Sequence, residues 1–121
     1  MKKTPENDAI RLKHMLDAAR KVQVFMTSKT KNDLENDDML VFAVVRALEI
    51  IGEAANQITD VTQQTHSHIA WKDIVGMRNV IVHAYFDVDI DIVWRTIQDD
   101  LPLIIEQVET VLNTDEENHN D

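Results

Sequence analysis

Cysteine is absent from this chain of 121 residues, and turn-forming and aromatic residues are scarce: two glycines, two prolines and 5% aromatic residues. Without cysteine the chain forms no disulfide and no thiolate metal site, so we expect a cytoplasmic protein. So few glycines, prolines and aromatic residues do not suit a β-sandwich or a doubly wound sheet. With 44% hydrophobic residues and a length typical of one domain, we expect an all-α fold.

Long apolar runs are also missing from the sequence. No run approaches the ~18 residues of a membrane-spanning helix, and no apolar segment follows the start of the chain, residues 1–5. We therefore expect no membrane span, no membrane partner and no signal peptide.

Positive charge is scarce overall but concentrated in one part of the chain. The net charge is -10, which argues against extended, nonspecific binding along a nucleic-acid backbone. Residues 1–31 nevertheless hold eight of the 12 lysines and arginines and only three acids, so their local charge is +5 and the remainder carries -15. This cationic strip is either a solvated helix face or a surface that meets a phosphate backbone or an acidic partner.

The spacing of the apolar residues predicts four long helices, the last of them kinked at Pro102. Residues 28–36 are predicted to form a loop, and residues 60–70 to be irregular or weakly helical. The predicted helices run from Thr4 to about Thr27, from Asp37 or Asp38 to about Ile58, from about Trp71 into residues 78–85, and from Asp87 or Asp89 to about Leu112.

These elements predict an antiparallel bundle of four to five helices in one domain, residues 1–112. Residues 113–121 have no apolar side chain to bury and are expected to be a disordered acidic tail. The second helix is apolar on more than one side, so we expect it to lie at the centre of the bundle and to form part of a dimer face.

Both glycines, Gly52 and Gly76, fall inside predicted helices, where each costs ~1 kcal/mol relative to alanine. We infer that the second and third helices approach each other closely near these residues, although simple tolerance of an isolated glycine explains them equally well.

Two acids on the second helix, Glu49 and Glu53, are four residues apart and repel each other unless a cation lies between them. Arg46 or Arg78 is the candidate cation. The alternative is that both glutamates are exposed on a solvated face.

Four polar side chains interrupt the end of the third helix: Arg78, Asn79, His83 and Tyr85. A guanidinium is a permanent forked donor for phosphate oxygens, and an imidazole exchanges a proton near neutral pH, so the pair suits phosphoryl chemistry. Alternatively, these side chains only satisfy backbone groups at a helix end. On a straight helix Arg78 and His83 lie about 140° apart. They share one phosphate only if the helix loosens before His83 or a second chain supplies a matching pair.

His66 and His68 are spaced like a metal-binding pair but have no neighbouring carboxylate in the sequence, so we expect no metal site. No other cofactor is expected.

The spacing of Arg78, His83 and Tyr85, with a polar residue directly after the arginine, resembles the Arg-x4-His-x-Tyr signature of the HepT-like toxins of the HEPN superfamily. The segments 48–55, 71–79 and 85–89 are similar to this family's characteristic segments, and the similarity extends over roughly residues 5–112.

The resemblance implies a HEPN-like, dimeric, metal-independent endoribonuclease, the toxin of a type VII-like toxin–antitoxin system. Its antitoxin would be a minimal nucleotidyltransferase that transfers AMP to Tyr85. By the same resemblance Arg78 would bind the scissile phosphate, His83 would act as general acid or base, and Asn79 would orient one of the reacting groups. Glu49 and Glu53 are candidate supporting residues.

Two other functions remain open at this point. The chain could be a non-catalytic helical adaptor that binds, and is modified by, the nucleotidyltransferase. It could instead be a nucleotide-binding partner in which Arg78 and His83 hold a ligand without turning it over.

Overall fold

The computed structural model describes the backbone of residues 3–84 and 89–119 and the side chains of residues 3–77 and 89–114. All regular structure in these ranges is helical, as predicted. The elements are α1 (Pro5–Phe25), α2 (Lys31–Asn36), α3 (Asp38–Asn56), α4 (Asp60–Thr65), α5 (Trp71–Ala84), α6 (Ile90–Arg95), a π-helical turn (Thr96–Asp100) and α7 (Leu101–His119).

Helix α3 lies at the centre of the fold, because it packs against α1, α5 and α2, while α7 packs against α1. Its buried residues cover several sides of the helix, which confirms the central position predicted from its wide apolar surface. These residues are Leu40, Val41, Val44, Val45, Ala47, Leu48, Ile51, Gly52, Ala54 and Ala55.

The predicted starts of the long helices are confirmed, because each carries a recognisable N-terminal signal. Thr4 is the N-cap of α1 and Pro5 follows it. The Asp37 carboxylate accepts a hydrogen bond from the backbone N–H of Leu40 at 3.1 Å and so caps α3. Asp89 caps α6 in the same way.

The predicted loop over residues 28–36 is wrong in its second half, which forms α2. Thr30 and Asp33 make a capping box: the Thr30 side chain accepts from the Asp33 N–H, and the Asp33 carboxylate accepts from the Thr30 N–H at 2.7 Å. Leu34 anchors the helix in the core with 1% of its surface exposed. One buried residue in six is too weak a periodic signal to reveal such a helix in the sequence.

The last predicted helix is divided by the π-turn, which directly precedes Pro102. The N–H of Leu101 donates to the carbonyl of Thr96, five residues back instead of four. A proline ring clashes with the carbonyl four residues before it, which is that of Gln98 here. The wider turn lies where this clash would arise, and the kink at Pro102 stays a prediction.

The π-turn also keeps the buried stripe of this segment in line with the core. Val93, Ile97 and Leu101 are buried at successive steps of four residues. Each such step advances the side chains by about 40° on a regular α-helix, so the stripe would turn away from the core. Because a π-turn contains more residues per turn than an α-helix, each residue in it rotates the chain less, and part of that rotation is cancelled.

The backbone of α7 is helical to His119, past residue 112, where the sequence predicts the domain to end. The disorder of the acidic tail stays a prediction. No glycine or proline follows Pro102 to end the helix. The hydroxyls of Thr110 and Thr114 each donate to the carbonyl four residues back, as side chains on a continuing helix do. Residues 120–121 lie outside the described residues.

Helices α3 and α5 pack against each other, as inferred from the glycines, but Gly76 does not lie at a tight contact. An added Cβ at Gly76 would meet no heavy atom of the described residues, those of α3 included, within 4 Å. The inferred reason for this glycine is therefore wrong, and Gly76 instead leaves open space beside α5. None of the helices in the described residues is long and apolar enough to cross a membrane.

Candidate functional site

The four polar residues of the motif lie at the end of α5 and directly beyond it. Arg78, Asn79 and His83 are on the last two turns of α5, whose backbone is helical to Ala84. Their side chains lie outside the described residues, as does all of Tyr85. Because α5 stays helical past position 83, positions 78 and 83 remain about 140° apart in helical projection and ~7.5 Å apart along the axis.

Directly before the motif, α5 borders an open groove that we call the α5/α6 groove. Its volume is about 430 Å³, within the range of ligand-binding clefts. One wall belongs to α5 and the other to α6 and the π-turn. The α5 wall consists of Lys72, Asp73, Gly76 and Met77, and the opposite wall of Ile92, Arg95, Thr96 and Asp100.

Charges of both signs line the α5/α6 groove. Partial burial raises the pKa of Asp100 above the usual aspartate value, with further contributions from the charges of Asp99 and Asp73, while Arg95 acts in the opposite direction. Among the residues whose side chains the structure describes, neither Lys72 nor Arg95 is in an ion pair. Arg95 nonetheless acts on the nearby Asp100 carboxyl, so an acid of the same groove partly balances its charge.

The two glutamates predicted to need a cation have one in Arg46. Its Nη1 lies 3.4 Å from a carboxylate oxygen of Glu49 and 3.4 Å from one of Glu53. The Glu49 side chain is 17% exposed and that of Glu53 46%, so the cluster lies at the surface of α3. Of the two candidate cations, Arg46 fills the role within the described residues. The supporting role of Glu49 and Glu53 stays a prediction.

The cationic strip of residues 1–31 is partly neutralised by acids, most of them in later helices. Three of its members are in ion pairs, two of them with residues beyond α3. A phosphate backbone would therefore have to compete with these acids for the strip. The pairs are Arg20 with Glu109 at 2.5 Å, Lys21 with Asp17 at 3.1 Å, and Lys31 with Asp91.

A buried polar cluster that was not predicted joins α1 to the start of α4. Asp8 is 4% exposed, and its carboxylate accepts hydrogen bonds from the Thr59 N–H at 3.0 Å, the Thr59 hydroxyl at 2.6 Å and the Thr62 hydroxyl at 2.5 Å. One feature of the sequence does indicate this burial: Asp8 is four residues before Leu12 and so lies on the apolar face of α1. With all of its partners inside the protein, the cluster is a structural tie.

His66 and His68 lie beside each other with ring centroids 6.2 Å apart. In the part of the chain that the structure describes, no three histidine, aspartate or glutamate side chains converge as metal ligands would.

The fold places this chain among small all-α domains in which a central helix supports a second helix with a polar end. Residues 15–111 match the family described as Ribonuclease HepT-like, and the chain belongs to this family. No solved structure matches it significantly.

Three relatives illustrate the similarity. A Methanocaldococcus jannaschii protein called "Putative RNase" is 37% identical over 97 residues, covering 80% of this chain and 89% of the relative. A Thermococcus cleftensis protein called "Probable ribonuclease HepT" is 36% identical over 91 residues, covering 75% and 83%. A second M. jannaschii protein, called "Gamma-glutamylcyclotransferase and putative RNase", is 30% identical over 111 residues, and this chain spans 50% of its length.

Proposed function

We propose that this protein is a metal-independent endoribonuclease and the toxin of a type VII-like HEPN/MNT toxin–antitoxin system. The observation that carries the proposal is the match to the Ribonuclease HepT-like family over residues 15–111, a range that includes Arg78, His83 and Tyr85. The names of the relatives support RNA as the substrate.

The proposed reaction uses a nucleophile that RNA itself supplies. The ribose 2′-hydroxyl attacks the adjacent phosphorus, and the bond from phosphorus to the 5′-oxygen of the next nucleotide breaks. The products are a 2′,3′-cyclic phosphate and a 5′-hydroxyl. His83 takes the proton from the 2′-hydroxyl or donates one to the leaving 5′-oxygen, Arg78 stabilises the negative charge on the phosphorane, and Asn79 orients one of these groups. Fixed cationic donors can stabilise this transition state without a metal ion.

The active site is proposed to be composite, with Arg78 of one copy and His83 of its partner acting on the same phosphate. The support is geometric: a helix that continues to Ala84 separates positions 78 and 83 by about 140°. A two-fold axis beside α5 would bring both pairs into one groove. Such a groove also concentrates cations locally in a chain whose net charge is -10.

Control is proposed to come from a nucleotidyltransferase antitoxin that transfers AMP from ATP to the hydroxyl of Tyr85. The phosphorus–oxygen bond to the tyrosine forms as pyrophosphate leaves. The added phosphodiester carries a negative charge two residues beyond His83, where it would compete with RNA for Arg78 and block access to the groove.

The composite site is tested by complementation between two inactive variants. Arg78→Ala and His83→Ala should each abolish RNA cleavage, assayed in excess chelator. A refolded equal mixture of the two should recover up to about a quarter of the wild-type activity, because half of the dimers contain one intact pair of the normal two. His14→Ala, at an exposed position of α1, is the control and should cleave normally.

Three outcomes would contradict the proposal at different levels. If heterodimers form but recover no activity, the site is not shared between two copies. If cleavage requires Mg²⁺, the chemistry is different. If His83→Ala cleaves as fast as the parent, the chain is better described as the non-catalytic adaptor.

A further inference from the structure

The α5/α6 groove lies outside the proposed cleavage chemistry, yet it leads along α5 toward the catalytic histidine. Positions 72, 76 and 83 fall within about 40° of each other in helical projection, because steps of four and seven residues return close to the same face. Position 83 is two turns, or ~10 Å, beyond position 76. Position 78 lies on another side of the helix. The groove therefore shares a face of α5 with His83 and not with Arg78.

The floor of the groove suits a flat ring. Gly76 has no side chain and leaves open space above α5, while Met77 and Ile92 supply apolar surface on either side. The volume of about 430 Å³ is large enough for a nucleotide but too small for a folded element of a partner protein. Arg95 adds a guanidinium plane, on which bases of single-stranded RNA commonly stack.

The polar groups of the groove are matched to a base with N–H groups on its pairing edge. The carboxylates of Asp73 and Asp100 can each accept hydrogen bonds from a ligand. Partial burial, then the charge of Asp99, then that of Asp73 raise the pKa of Asp100, so Asp73 and Asp100 are close enough to repel each other. A donor edge between them would offset their repulsion. Among the four bases, guanine presents two adjacent N–H donors on its Watson–Crick edge, a pattern that fits a carboxylate with two hydrogen bonds.

The cations of the groove complete the match to a nucleotide. Lys72 and Arg95 line the same cleft and, among the described side chains, are in no ion pair. Each is thus placed to meet a phosphate attached to a base in the groove. These two cations lie in one cleft directly before the motif, in a chain whose net charge is -10.

We propose that the α5/α6 groove binds a nucleobase of the RNA substrate beside the scissile phosphate, with a preference for guanine. The inference rests on the proposed function, since the neighbouring phosphate is the one that His83 acts on. It adds a source of sequence selectivity to a reaction whose catalytic residues contact only the backbone.

Nucleotide binding to the wild-type protein tests this inference directly. Guanosine 5′-monophosphate, uridine 5′-monophosphate and ribose 5-phosphate are titrated separately while the backbone amide of Gly76 is followed by NMR. The guanine nucleotide should shift this signal at a concentration at least about five-fold lower than the uridine nucleotide, because it offers a second N–H donor. Ribose 5-phosphate should bind most weakly of the three.

Two variants and one matched control locate the binding site. Asp100→Asn should weaken binding of the guanine nucleotide by about ten-fold, the usual cost of losing a hydrogen bond to a charged acceptor. Gly76→Leu should abolish binding by filling the floor, and the Cβ that it adds meets no heavy atom of the described residues within 4 Å. Asp99→Asn is the control, because Asp99 is exposed, adjacent in sequence and not part of the groove wall.

Equal binding of ribose 5-phosphate and the guanine nucleotide would overturn the proposal, since the groove would then recognise only phosphate. An unchanged Gly76 signal at millimolar nucleotide would also overturn it, as would a shift produced only by the antitoxin, which would make the groove a protein contact. Mapping of cleavage sites separates this inference from the proposed function. If RNA is cleaved normally but guanine does not bind, the ribonuclease proposal stands and the guanine site is wrong. If guanine binds but no RNA is cleaved, the guanine site stands and the ribonuclease proposal is wrong.

Discussion

Gly76 lies in the middle of α5, and no heavy atom of the described residues is within 4 Å of the place where its Cβ would be. Alanine there should stabilise the helix by about 0.5–1 kcal/mol, because the unfolded chain loses conformational freedom and no contact is strained. We expect Gly76→Ala to raise the melting temperature by about 3–5 °C in thermal denaturation followed by circular dichroism.

Gly52→Ala is the matched comparison for this glycine. Both substitutions gain the same helix propensity, but Gly52 is buried in α3, so an added methyl group has to fit into the packed core. We expect a smaller gain there, or a loss. A lower melting temperature for Gly76→Ala would show that the space beside α5 is filled in solution.

The charge of Asp100 has a stability effect that depends on pH. The folded protein raises the pKa of this carboxyl through burial and the neighbouring charges of Asp99 and Asp73, so folding disfavours the ionised form. The protonated carboxyl therefore favours the folded state. This contribution to stability is fully present below the unfolded pKa, near 3.8, and is lost as the pH rises through the folded pKa. Asp100→Asn should therefore melt above the parent protein at pH 7.

The advantage of Asp100→Asn should shrink as the pH falls toward 4, where the parent's carboxyl becomes protonated. Melting curves collected from pH 7.5 to pH 4.5 measure this trend, with Asp99→Asn as the comparison. The groove is largely open to solvent, so the difference should be small and should fall further in salt. A variant that is less stable at pH 7 would show that the Asp100 carboxylate makes a favourable contact.

At the scale of elements, α4 is held to the bundle mainly by hydrogen bonds, because none of its own residues is buried. The Asp8 carboxylate accepts three hydrogen bonds from Thr59 and Thr62 at the start of this helix. Asp8→Ala leaves these buried donors unpaired and should lower the free energy of unfolding by about 2 kcal/mol in urea denaturation. Hydrogen exchange should increase first in α4.

Asp17→Ala is the control for Asp8→Ala on the same helix. Asp17 pairs only with Lys21, and its side chain is 69% exposed, so its loss should cost less than about 0.5 kcal/mol. Equal effects of the two substitutions would mean that the cluster is not what holds α4 in place.

The contrast between the long helices and the short elements shows what the sequence could predict. The starts of α1 and α3 are marked by local signals, Pro5 in the first turn of α1 and the capping carboxylate of Asp37 at α3, and both starts were predicted correctly. The Asp8 cluster joins residues 51 positions apart, and the π-turn depends on how two stretches of one helix meet the core. Interactions of this kind are set by tertiary packing and leave little trace in local spacing.

At the scale of the whole molecule, the fold class and the family were predictable. Helical periodicity runs through most of the chain, and the spacing of Arg78 and His83 resembles the motif of the family that matches residues 15–111. The α5/α6 groove was not predictable, because it lies between helices that are separated in sequence. It also includes Gly76, for which the sequence indicated close packing of two helices. A dimer and a shared site stay predictions, since they depend on a second chain.

The proposed regulation would be a property of the whole protein together with an antitoxin. If the proposed control holds, incubation with a nucleotidyltransferase antitoxin and ATP should increase the mass of the protein by whole AMP units on Tyr85 and abolish RNA cleavage without unfolding. Tyr85→Phe should resist both effects, because it lacks the hydroxyl that accepts the nucleotide. Intact-mass spectrometry and a cleavage assay measure the two outcomes. If the antitoxin silences Tyr85→Phe as well as the parent, control comes from an inhibitory complex.

The π-turn constrains how this chain can change in evolution. Gln98 and Asp99 are exposed, so exchanging either for another polar residue should cost little. Deleting one residue between Ile97 and Leu101 would convert the π-turn into regular α-helix, and Leu101 would then follow Val93 by seven residues, a step that returns to within about 20° of the same face. Deleting two would rotate everything after the turn by about 100° more, and the two buried stripes would no longer face one core. We therefore expect relatives to vary in residue type between Ile97 and Leu101 and to lack at most one residue there.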